Sequence, residues 1–424
     1  MPRFNTLKEW LNWQESLHPL AIDLGLERAS RVFHALAPDY RKPVTITVAG
    51  TNGKGSCVAY LETIYRAQGY RVGAYTSPHI LRYNERIKIN GIPAADDLIC
   101  EAFARIEKVR QNISLSYFEF STLAALDIFS RSDVDLQILE VGMGGRLDAV
   151  NIVDPDVALI SSIGIDHVDW LGETREAIGA EKAGIFRPAT PAIVGDPEPP
   201  SSLIQCAKDK NARLFCIGNE FNYQKHATGW NWRFGDQHLE NLPPPALKGE
   251  HQYRNASSAI LAVMLLSKAL PVGIEAIRQG LENVKLAGRF QLIDGKIPLL
   301  LDVGHNPEAV KTLVAYLQEH CQHKRIRALF SMMKDKDIKS VLKLMQPWVY
   351  DWFFAPLTNP RAASETQMRA IFEQCGIRAA HFGFQNFTEA LAAAKNQLQE
   401  GDLLLVFGSF FLVSDCLSEL DKGE

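Results

Sequence analysis

A glycine-rich segment with one lysine, residues 50–56, is the part of the sequence best suited to chemistry. It reads Gly-Thr-Asn-Gly-Lys-Gly-Ser and follows an apolar, β-branched run at 44–48. Glycines let backbone N–H groups converge on an anion, the following helix adds its positive end, and Lys54 can reach the β- and γ-phosphates of a nucleotide. Gly55 separates the lysine from Ser56, which departs from the usual G-x-x-x-x-G-K-[ST] spacing. Because strand, glycines, lysine, hydroxyl and helix occur in the required order, we predict a phosphate loop rather than a glycine-rich turn with an exposed lysine.

A second strand-and-glycine pattern occupies residues 136–148. An apolar run ends at Glu140, and a loop containing Gly142, Gly144 and Gly145 follows. A carboxylate at a strand end beside a phosphate loop can hold magnesium, directly or through water. The alternative is an ion pair between Glu140 and Arg146. We favour the metal ligand because a glutamate between apolar neighbours is costly to bury without a cation.

Two more polar residues follow predicted strands. Ser77 comes after the strand predicted at 70–75, and His167 comes just past the strand predicted at 157–163. Ligands of α/β sheets bind at the carboxyl ends of the strands, so both are candidates for the same site, although a single histidine is often only a structural hydrogen-bonding group. Lys182, which follows a helical stretch, is interpreted from the sequence alone as an ordinary lysine at a helix end.

Length and composition set the frame for these motifs. The chain has 424 residues, which predicts two domains, and its formal charge of −4 arises from 45 basic and 49 acidic residues. No long basic run is present, so we expect neither nucleic acid nor a membrane as a partner. Seven scattered cysteines indicate reduced thiols. With no signal-peptide pattern at the N-terminus, we expect a cytoplasmic protein.

The pattern of elements predicts an α/β protein. We expect an N-terminal phosphate-loop ATPase domain with a mainly parallel sheet at 1–288, a linker at 289–297, and a smaller Rossmann-like α/β domain at 298–424. The proline-, tryptophan- and glycine-rich stretch 222–245 is interpreted as an excursion from the core. The smaller domain has five predicted strands, at 298–303, 326–331, 349–355, 379–382 and 403–407.

Taken together, these motifs closely resemble the folylpolyglutamate synthases of the Mur ligase superfamily over nearly the whole chain. The resemblance is carried by residues 50–56, 77–79, 140–148, 166–167, 181–185 and 302–307. Gly304 stands where many relatives have alanine. Segments 23–28 and 117–119 are similar to the pterin-side segments of the bacterial members that also act as dihydrofolate synthases.

The resemblance implies an ATP-dependent ligase that joins L-glutamate to dihydropteroate and to reduced folates through an acyl phosphate. It implies ATP and two magnesium ions, with potassium as a further candidate, and a site completed when the two domains close. We expect a monomer. ATP would be held by Thr51, Asn52, Gly53, Lys54, Gly55, Ser56, Asn255, Arg289 and Asp302.

The resemblance also assigns the remaining site residues. Ser77 and Glu140 would hold one magnesium ion, Glu140 and His167 the second, with Ser56 as an adjunct. Lys54, Lys182, His167 and Glu140 form the implied catalytic set, and Lys182 would carry a carbamate, which replaces its helix-end interpretation. Asn255, whose alternative role is to cap its helix, would contact ATP. The substrates would be held by Asp23, Leu24, Gly25, Leu26, Tyr117, Phe118, Glu119, Leu147, Asp148 and Ala149, and glutamate by His305 and Ser409.

Three other functions compete with this one. A muramyl-peptide ligase would need a UDP-sugar domain before its phosphate loop, where only 49 residues precede Gly50. A phosphate-loop switch would give no role to Asp302 and His305. A monofunctional folate-chain extender is the nearest rival, and only the pterin-side segments argue against it.

Overall fold

The structure is a computed structural model that describes residues 3–20 and 22–422. It divides into two compact units. The N-terminal unit comprises the chain up to Gly164, Leu171–Ala246 and Tyr253–Val284. The C-terminal unit comprises Ile165–Trp170, Leu247–Gln252 and the chain from Lys285 onward. The predicted boundaries at 288 and 297 stay predictions.

An eight-stranded sheet forms the centre of the N-terminal unit. Its strands are β1 Val44–Ala49, β2 Val72–Tyr75, β3 Ile87–Ile89, β4 Ile92–Pro93, β5 Leu136–Glu140, β6 Val157–Ile160, β7 Pro191–Val194 and β8 Arg213–Cys216. They lie in the order β4-β3-β2-β5-β1-β6-β7-β8, parallel except for β3 and β4 at one edge. The central strands β1, β5 and β6 are buried along almost their whole length, as expected for a parallel sheet with helices on both faces.

Helices connect these strands, and several of the candidate site segments lie at helix ends. They are α1 Leu7–Leu17, α2 Glu27–Leu36, α3 Lys54–Gln68, α4 Asp96–Arg110, α5 Tyr117–Arg131, α6 Val168–Leu171, α7 Arg175–Lys182, α8 Ser201–Asp209, α9 His251–Leu265 and α10 Ile274–Asn283. Short 3-10 turns lie at Tyr83–Arg86, Ala149–Ile152 and Ala183–Ile185. Helix α4 begins with acidic residues and ends with basic ones, which complement the helix dipole.

A three-stranded antiparallel sheet occupies the stretch that we interpreted as an excursion. Its strands are β9 Phe221–His226, β10 Gly229–Phe234 and β11 Gln237–Leu242. Trp230 and Trp232 are fully buried, and the Trp232 indole N–H donates to the Ser257 carbonyl of α9 at 3.2 Å. The tryptophans therefore anchor this sheet to a helix of the same unit.

A six-stranded sheet forms the centre of the C-terminal unit. Its strands are β12 Gln291–Ile293, β13 Leu299–Asp302, β14 Arg325–Phe330, β15 Val349–Phe354, β16 Ala380–His381 and β17 Asp402–Phe407. Their order is β12-β13-β17-β14-β15-β16, and all pair in parallel except β12. Strand β12 lies inside the predicted linker, so these linker residues extend the sheet. The helices are α11 Pro307–His320, α12 Ile338–Met345, α13 Glu365–Gln374, α14 Phe387–Gln397 and α15 Phe410–Asp421.

The predicted fold class is confirmed, with a large, mainly parallel sheet followed by a smaller α/β unit. Among the described residues, no helix is both long enough and apolar enough to cross a membrane.

Candidate active site

The phosphate loop joins β1 to α3, as predicted. Gly50 and Gly53 have φ angles of +144° and +87°, a region that favours glycine. A Cβ at Gly50 would lie 2.0 Å from Ser161 Oγ, and one at Gly53 would lie 2.7 Å from Asn255 Oδ1. Asn255 lies within α9 and not at its start, so the capping alternative fails and its side chain adjoins the loop. The backbone N–H of Thr51 donates to the Ser162 carbonyl at 2.7 Å, which helps to fix the loop to the end of β6.

Two lysines converge on one carbonyl of this loop. Lys54 Nζ donates to the carbonyls of Gly50 at 2.9 Å and Thr51 at 3.2 Å. Lys182 Nζ donates to the Gly50 carbonyl at 3.1 Å. Lys182 does end α7, but it is 4% exposed, whereas an ordinary helix-end lysine keeps its amine in water. The structure thus brings two predicted catalytic residues, 128 positions apart in the sequence, to the loop.

Glu140 ends β5 next to the same loop. It lies opposite Val48 of the neighbouring strand β1 and is almost fully buried. Its Oε2 accepts from the backbone N–H of Ser77, which follows β2, at 3.2 Å. Arg146 pairs with Glu181 at 2.8 Å, so the ion-pair alternative for Glu140 is not supported.

These donors fit a magnesium ion. The side chains of Glu140, Ser77 and the buried Ser56 offer oxygen atoms, the ligand type that magnesium prefers. Among the described residues, no three histidine, cysteine, aspartate or glutamate side chains group together as a metal cage. Magnesium usually needs only one or two carboxylates when substrate phosphates complete its shell, so the single glutamate is sufficient.

The glycine loop after β5 packs closely against the end of α7. A Cβ at Gly145 would lie 2.8 Å from the Lys182 carbonyl oxygen, and one at Gly184 would lie 2.3 Å from Arg146 Cα. The Arg146 N–H donates to the Glu181 carbonyl at 2.9 Å. The backbone segment that follows Glu140 and the backbone segment that carries Lys182 are therefore held at a fixed separation.

A buried aspartate in the glycine loop has an altered acidity. Asp148 accepts backbone hydrogen bonds from Met143 at 2.8 Å and Val150 at 3.1 Å. Burial raises the pKa of Asp148 to about 7, and these hydrogen bonds only partly oppose it. Its neighbour Leu147 is partly buried, and Ala149 begins a buried 3-10 turn.

The predicted pterin-side segments meet through an arginine. Arg28 contacts Asp23 Oδ2 at 2.6 Å and Glu119 Oε1 at 3.2 Å. His18 Nε2 also lies 3.0 Å from Asp23. Leu24, Gly25 and Leu26 lie in the connection between α1 and α2. The sequence pointed to both segments but gave no sign that His18 contacts one of them.

The aromatic residues before Glu119 adjoin the sheet end. Phe118 is so close to the glycine loop that a Cβ at Gly142 would lie 2.5 Å from its ring. The Phe118 ring centroid is 5.9 Å from that of Tyr75, the last residue of β2. The Arg86 guanidinium lies 5.6 Å from the Tyr117 ring centroid. Phe118 therefore links helix α5 to the loop that bears Asp148.

A charged cluster forms around Asp166 in the C-terminal unit. Asp166 Oδ2 lies 3.5 Å from His305 Nε2 and accepts from Asn306 Nδ2 at 3.2 Å, and its Oδ1 pairs with Lys336 Nζ. Burial acts to raise the pKa of Asp166, but the hydrogen bond and charge of His305 and the charges of His167 and Lys336 hold it well below its usual range. His167 directly follows and has a φ of +52°. Lys336 was missed, although it lies soon after the carboxyl end of β14.

Of the remaining C-terminal candidates, Asp302 and Ser409 lie at the ends of the neighbouring strands β13 and β17, and Arg289 lies just before β12. Asp302 accepts from the N–H groups of Gly304 at 2.8 Å and Phe290 at 3.3 Å, and burial raises its pKa to about 6 against these hydrogen bonds. The Arg289 guanidinium lies 4.9 Å from the ring centroid of Phe410. Ser409, which follows β17, caps α15 through the Phe411 N–H.

Comparisons with known proteins agree with this architecture. The Mur ligase middle domain family matches residues 48–263, and the Mur ligase, glutamate ligase domain family matches residues 288–410. The dihydrofolate synthase/folylpolyglutamate synthase of Escherichia coli strain K12 is 43% identical over 417 residues, covering 98% of this chain and 96% of that protein.

Solved structures are similar over the same length. Escherichia coli FolC in complex with DHPP and ADP has a TM-score of 0.93 and 42% identity, and the match covers 99% of this chain and 98% of that one. A bifunctional folylpolyglutamate synthase/dihydrofolate synthase with Mn, AMPPNP and L-glutamate bound has a TM-score of 0.90 and 43% identity, with 98% of each chain covered. The chain therefore belongs to the dihydrofolate synthase/folylpolyglutamate synthase family of Mur ligases.

Proposed function

We propose that the chain adds L-glutamate to dihydropteroate, forming dihydrofolate, and to reduced folates, forming folylpolyglutamates, with ATP driving both reactions. The observation that carries the proposal is the meeting of Lys54 and Lys182 at the Gly50 carbonyl, beside the strand that ends at Glu140. The substrates are supported by the full-length similarity to bifunctional relatives.

The reaction needs an activated acid because a carboxylate is a poor electrophile. A carboxylate oxygen of dihydropteroate, or the γ-carboxylate oxygen of a folate, bonds to the γ-phosphorus of ATP as the bond to ADP breaks. The resulting acyl phosphate has a good leaving group. The amine of glutamate then bonds to the acyl carbon, phosphate departs with the electron pair of the broken bond, and the amine loses a proton.

In the N-terminal unit, Lys54 and the N–H groups of residues 51–56 would hold the phosphates of ATP. Lys54 already lies over the loop through its two carbonyl contacts, so a modest rotation of its side chain would direct the amine at an anion. Ser77 and Glu140, with Ser56 as an adjunct, would hold magnesium, which supplies positive charge between the phosphate and the carboxylate. His167, in the segment Ile165–Trp170 of the C-terminal unit, would be a further ligand. Potassium is a further candidate ion.

Lys182 would act as a carbamate. Its neutral amine bonds to the carbon of CO₂, one C=O bond becomes a single bond to an anionic oxygen, and the nitrogen releases a proton. The proposal is supported by the burial of Lys182 and by the position of its amine at the Gly50 carbonyl, 3.1 Å away. The modification would convert a buried cation into an anionic ligand next to the phosphate loop.

The C-terminal unit would supply contacts to ATP and glutamate. Arg289 and Asp302 would contact the nucleotide, as would Asn255 of α9. His305 and Ser409 would bind glutamate. The roles of Asp302, His305 and Ser409 are supported by their positions at or just after the ends of β13 and β17, because the carboxyl ends of adjacent parallel strands form the ligand-binding edge of such a sheet. The role of Asn255 is supported by its closeness to Gly53 of the glycine-rich loop.

The segments around Asp23 and Tyr117 would bind the pterin. This role is supported by Arg28, which contacts both Asp23 and Glu119, and by the packing of Phe118 against the loop that carries Asp148. One pocket would serve both acids, so dihydropteroate and a reduced folate should inhibit one another competitively. We also propose that the enzyme works in the cytoplasm, in keeping with its unpaired cysteines.

The test is an assay of ADP release with dihydropteroate or tetrahydrofolate, each with and without L-glutamate, followed by product mass. We expect glutamate-dependent ADP release with both acids and products heavier by one glutamyl residue. If tetrahydrofolate is a substrate and dihydropteroate is not, the function is limited to extension of the glutamate chain of folates. Hydrolysis that needs no glutamate would overturn the ligase assignment.

A further inference from the structure

The carbonyl end of the helix that carries Lys182 is held by side chains from the next helix. Helix α7 ends at Lys182 and continues as the 3-10 turn Ala183–Ile185. The last carbonyls of a helix lack partners within it, so they need donors from elsewhere. How these carbonyls are bonded decides how firmly the backbone of Lys182 is held.

Lys210, which directly follows α8, donates to three carbonyls of the segment that follows Lys182. Its Nζ lies 3.4 Å from Ala183 O, 2.9 Å from Gly184 O and 3.2 Å from Phe186 O. An ammonium group has three N–H donors, and here each has a carbonyl acceptor. The Cys206 thiol, one turn earlier on α8, lies 3.6 Å from Ala183 O. A partly buried cation therefore complements the negative end of α7.

The same segment is also fixed by contacts with the glycine loop after β5 and with Arg187. Gly145 and Gly184 permit the close packing described above, and the Arg146 N–H bonds to the Glu181 carbonyl. Arg187 also donates to the Gly184 carbonyl at 3.2 Å. The backbone at and just after Lys182 is thus held both by these contacts and by Lys210, and the Lys182 amine reaches the Gly50 carbonyl from this position.

We propose that Lys210 is a positioning residue that holds the backbone of Lys182 where its amine retains CO₂ as a carbamate. The inference rests on the proposed carbamate. The reaction at Lys182 is the one given above, in which the amine bonds to CO₂ and loses a proton. Lys210 takes no part in it. Lys210 acts by keeping the helix end in one conformation, so that the carbamate keeps its partners.

The experiment compares Lys210→Met with Lys210→Arg and with Lys208→Met. Methionine keeps the length of the side chain but cannot donate, whereas arginine can donate to the same carbonyls. Lys208 is exposed on the same helix and provides a matched control. Each protein is titrated with ¹³C-labelled bicarbonate and followed by carbon NMR, and ligase kinetics are measured over the same range of CO₂.

We expect Lys210→Met to need on the order of tenfold more CO₂ for half of its carbamate signal and half of its activity, since hydrogen bonds from a charged donor are lost. At saturating CO₂ its kcat should return close to that of the parent, with KM values for ATP and glutamate unchanged. Lys210→Arg and Lys208→Met should match the parent.

Two results would overturn the inference. One is a Lys210→Met protein with the parent's CO₂ requirement, and the other is a loss of kcat that saturating CO₂ does not restore. If Lys210→Met does not fold, Lys210→Gln carries the same test, because the shorter amide cannot reach all three carbonyls. A parent protein that shows no carbamate signal would instead remove the proposed role of Lys182.

Discussion

The candidate sites of the two units depend on different structural features. The N-terminal site depends on backbone geometry, with Gly50, Gly53, Gly145 and Gly184 at positions where a Cβ would collide with neighbouring atoms. The C-terminal site depends on side-chain charge, centred on the buried Asp166 and its partners. Apart from its phosphate-binding lysine, the first site should therefore be most sensitive to added volume, and the second should be most sensitive to loss of charge.

The largest expected effect concerns the charge that the N-terminal site presents to phosphate. Lys54→Met should lower kcat by roughly a hundred- to thousandfold, because a donor to the transferring phosphate is lost. The fold should persist, since Lys54 donates to its own loop and does not fill the core. The check is ligase turnover beside circular dichroism and thermal unfolding. Near-parental turnover in the folded variant would refute the phosphate-loop assignment.

The next effect tests sensitivity to volume. Gly184→Ala places a Cβ 2.3 Å from Arg146 Cα, a backbone atom that can move only with its chain. We expect overpacking to cost about 1–3 kcal/mol of unfolding free energy. Displacement of Lys182 should also lower kcat by about a hundredfold.

Gly295→Ala is the matched control, because a Cβ there would meet its nearest neighbour, Ile297 O, at 3.5 Å. Calorimetry and steady-state kinetics compare the two variants. A Gly184→Ala protein with the melting temperature and kcat of the control would show that the contact between the two loops does not matter.

Sensitivity to charge is tested at Lys336. Lys336→Met leaves the buried Asp166 with one cation fewer, and we expect the KM for glutamate to rise roughly tenfold to a hundredfold as His305 shifts. The KM for ATP should change little. Lys334→Met, at an exposed lysine two positions earlier, is the control. If ATP and glutamate are affected equally, the cluster does not act through the glutamate site.

The smallest effect is a pH dependence of stability from Asp302. Its pKa is raised to about 6 in the folded protein, above the value of about 4 in an unfolded chain, so folding favours the protonated acid. The contribution of Asp302 to the stability of the folded protein is complete below pH 4. As the pH rises through 6 this contribution is lost, which lowers the free energy of unfolding by on the order of 2–3 kcal/mol.

The asparagine of Asp302→Asn cannot ionise. The free energy of unfolding of the C-terminal unit, measured with denaturant, should therefore vary less between pH 4 and 7 in this variant than in the parent. Asp294→Asn, at an exposed carboxylate, should keep the parental profile. An unchanged profile in Asp302→Asn would mean that other groups cause the dependence.

The backbone-built site was the more predictable of the two. Strand β1, the glycines and Lys54 are contiguous, so the order of residues alone indicates a phosphate loop. The strand end at Glu140 follows from an equally local pattern. What could not be predicted is which side chains meet there, since Lys182 and Gly50 are 132 positions apart.

The side-chain site was less predictable because its contacts are distant in sequence. Asp166 and Lys336 are separated by 170 positions, and a single sequence carries no sign of that pair. Strands β9 to β11 were missed for another reason. Strand β10 does alternate apolar and polar residues, with Trp230, Trp232 and Phe234 separated by Asn231 and Arg233, but the glycines and prolines of the stretch outweighed this signal in the interpretation. Strand β12 was hidden because three residues are too few to show a period.

The course of the chain between the units also limits how the protein can be divided. The chain passes from one unit to the other at 164/165, 170/171, 246/247, 252/253 and 284/285. A recombinant fragment starting at Lys285 would therefore lack Ile165–Trp170, and Lys336, in the connection between β14 and α12, would lose its partner Asp166. Such a fragment should express poorly and aggregate, whereas one that restores residues 165–170 through a fused peptide should be recovered in larger yield.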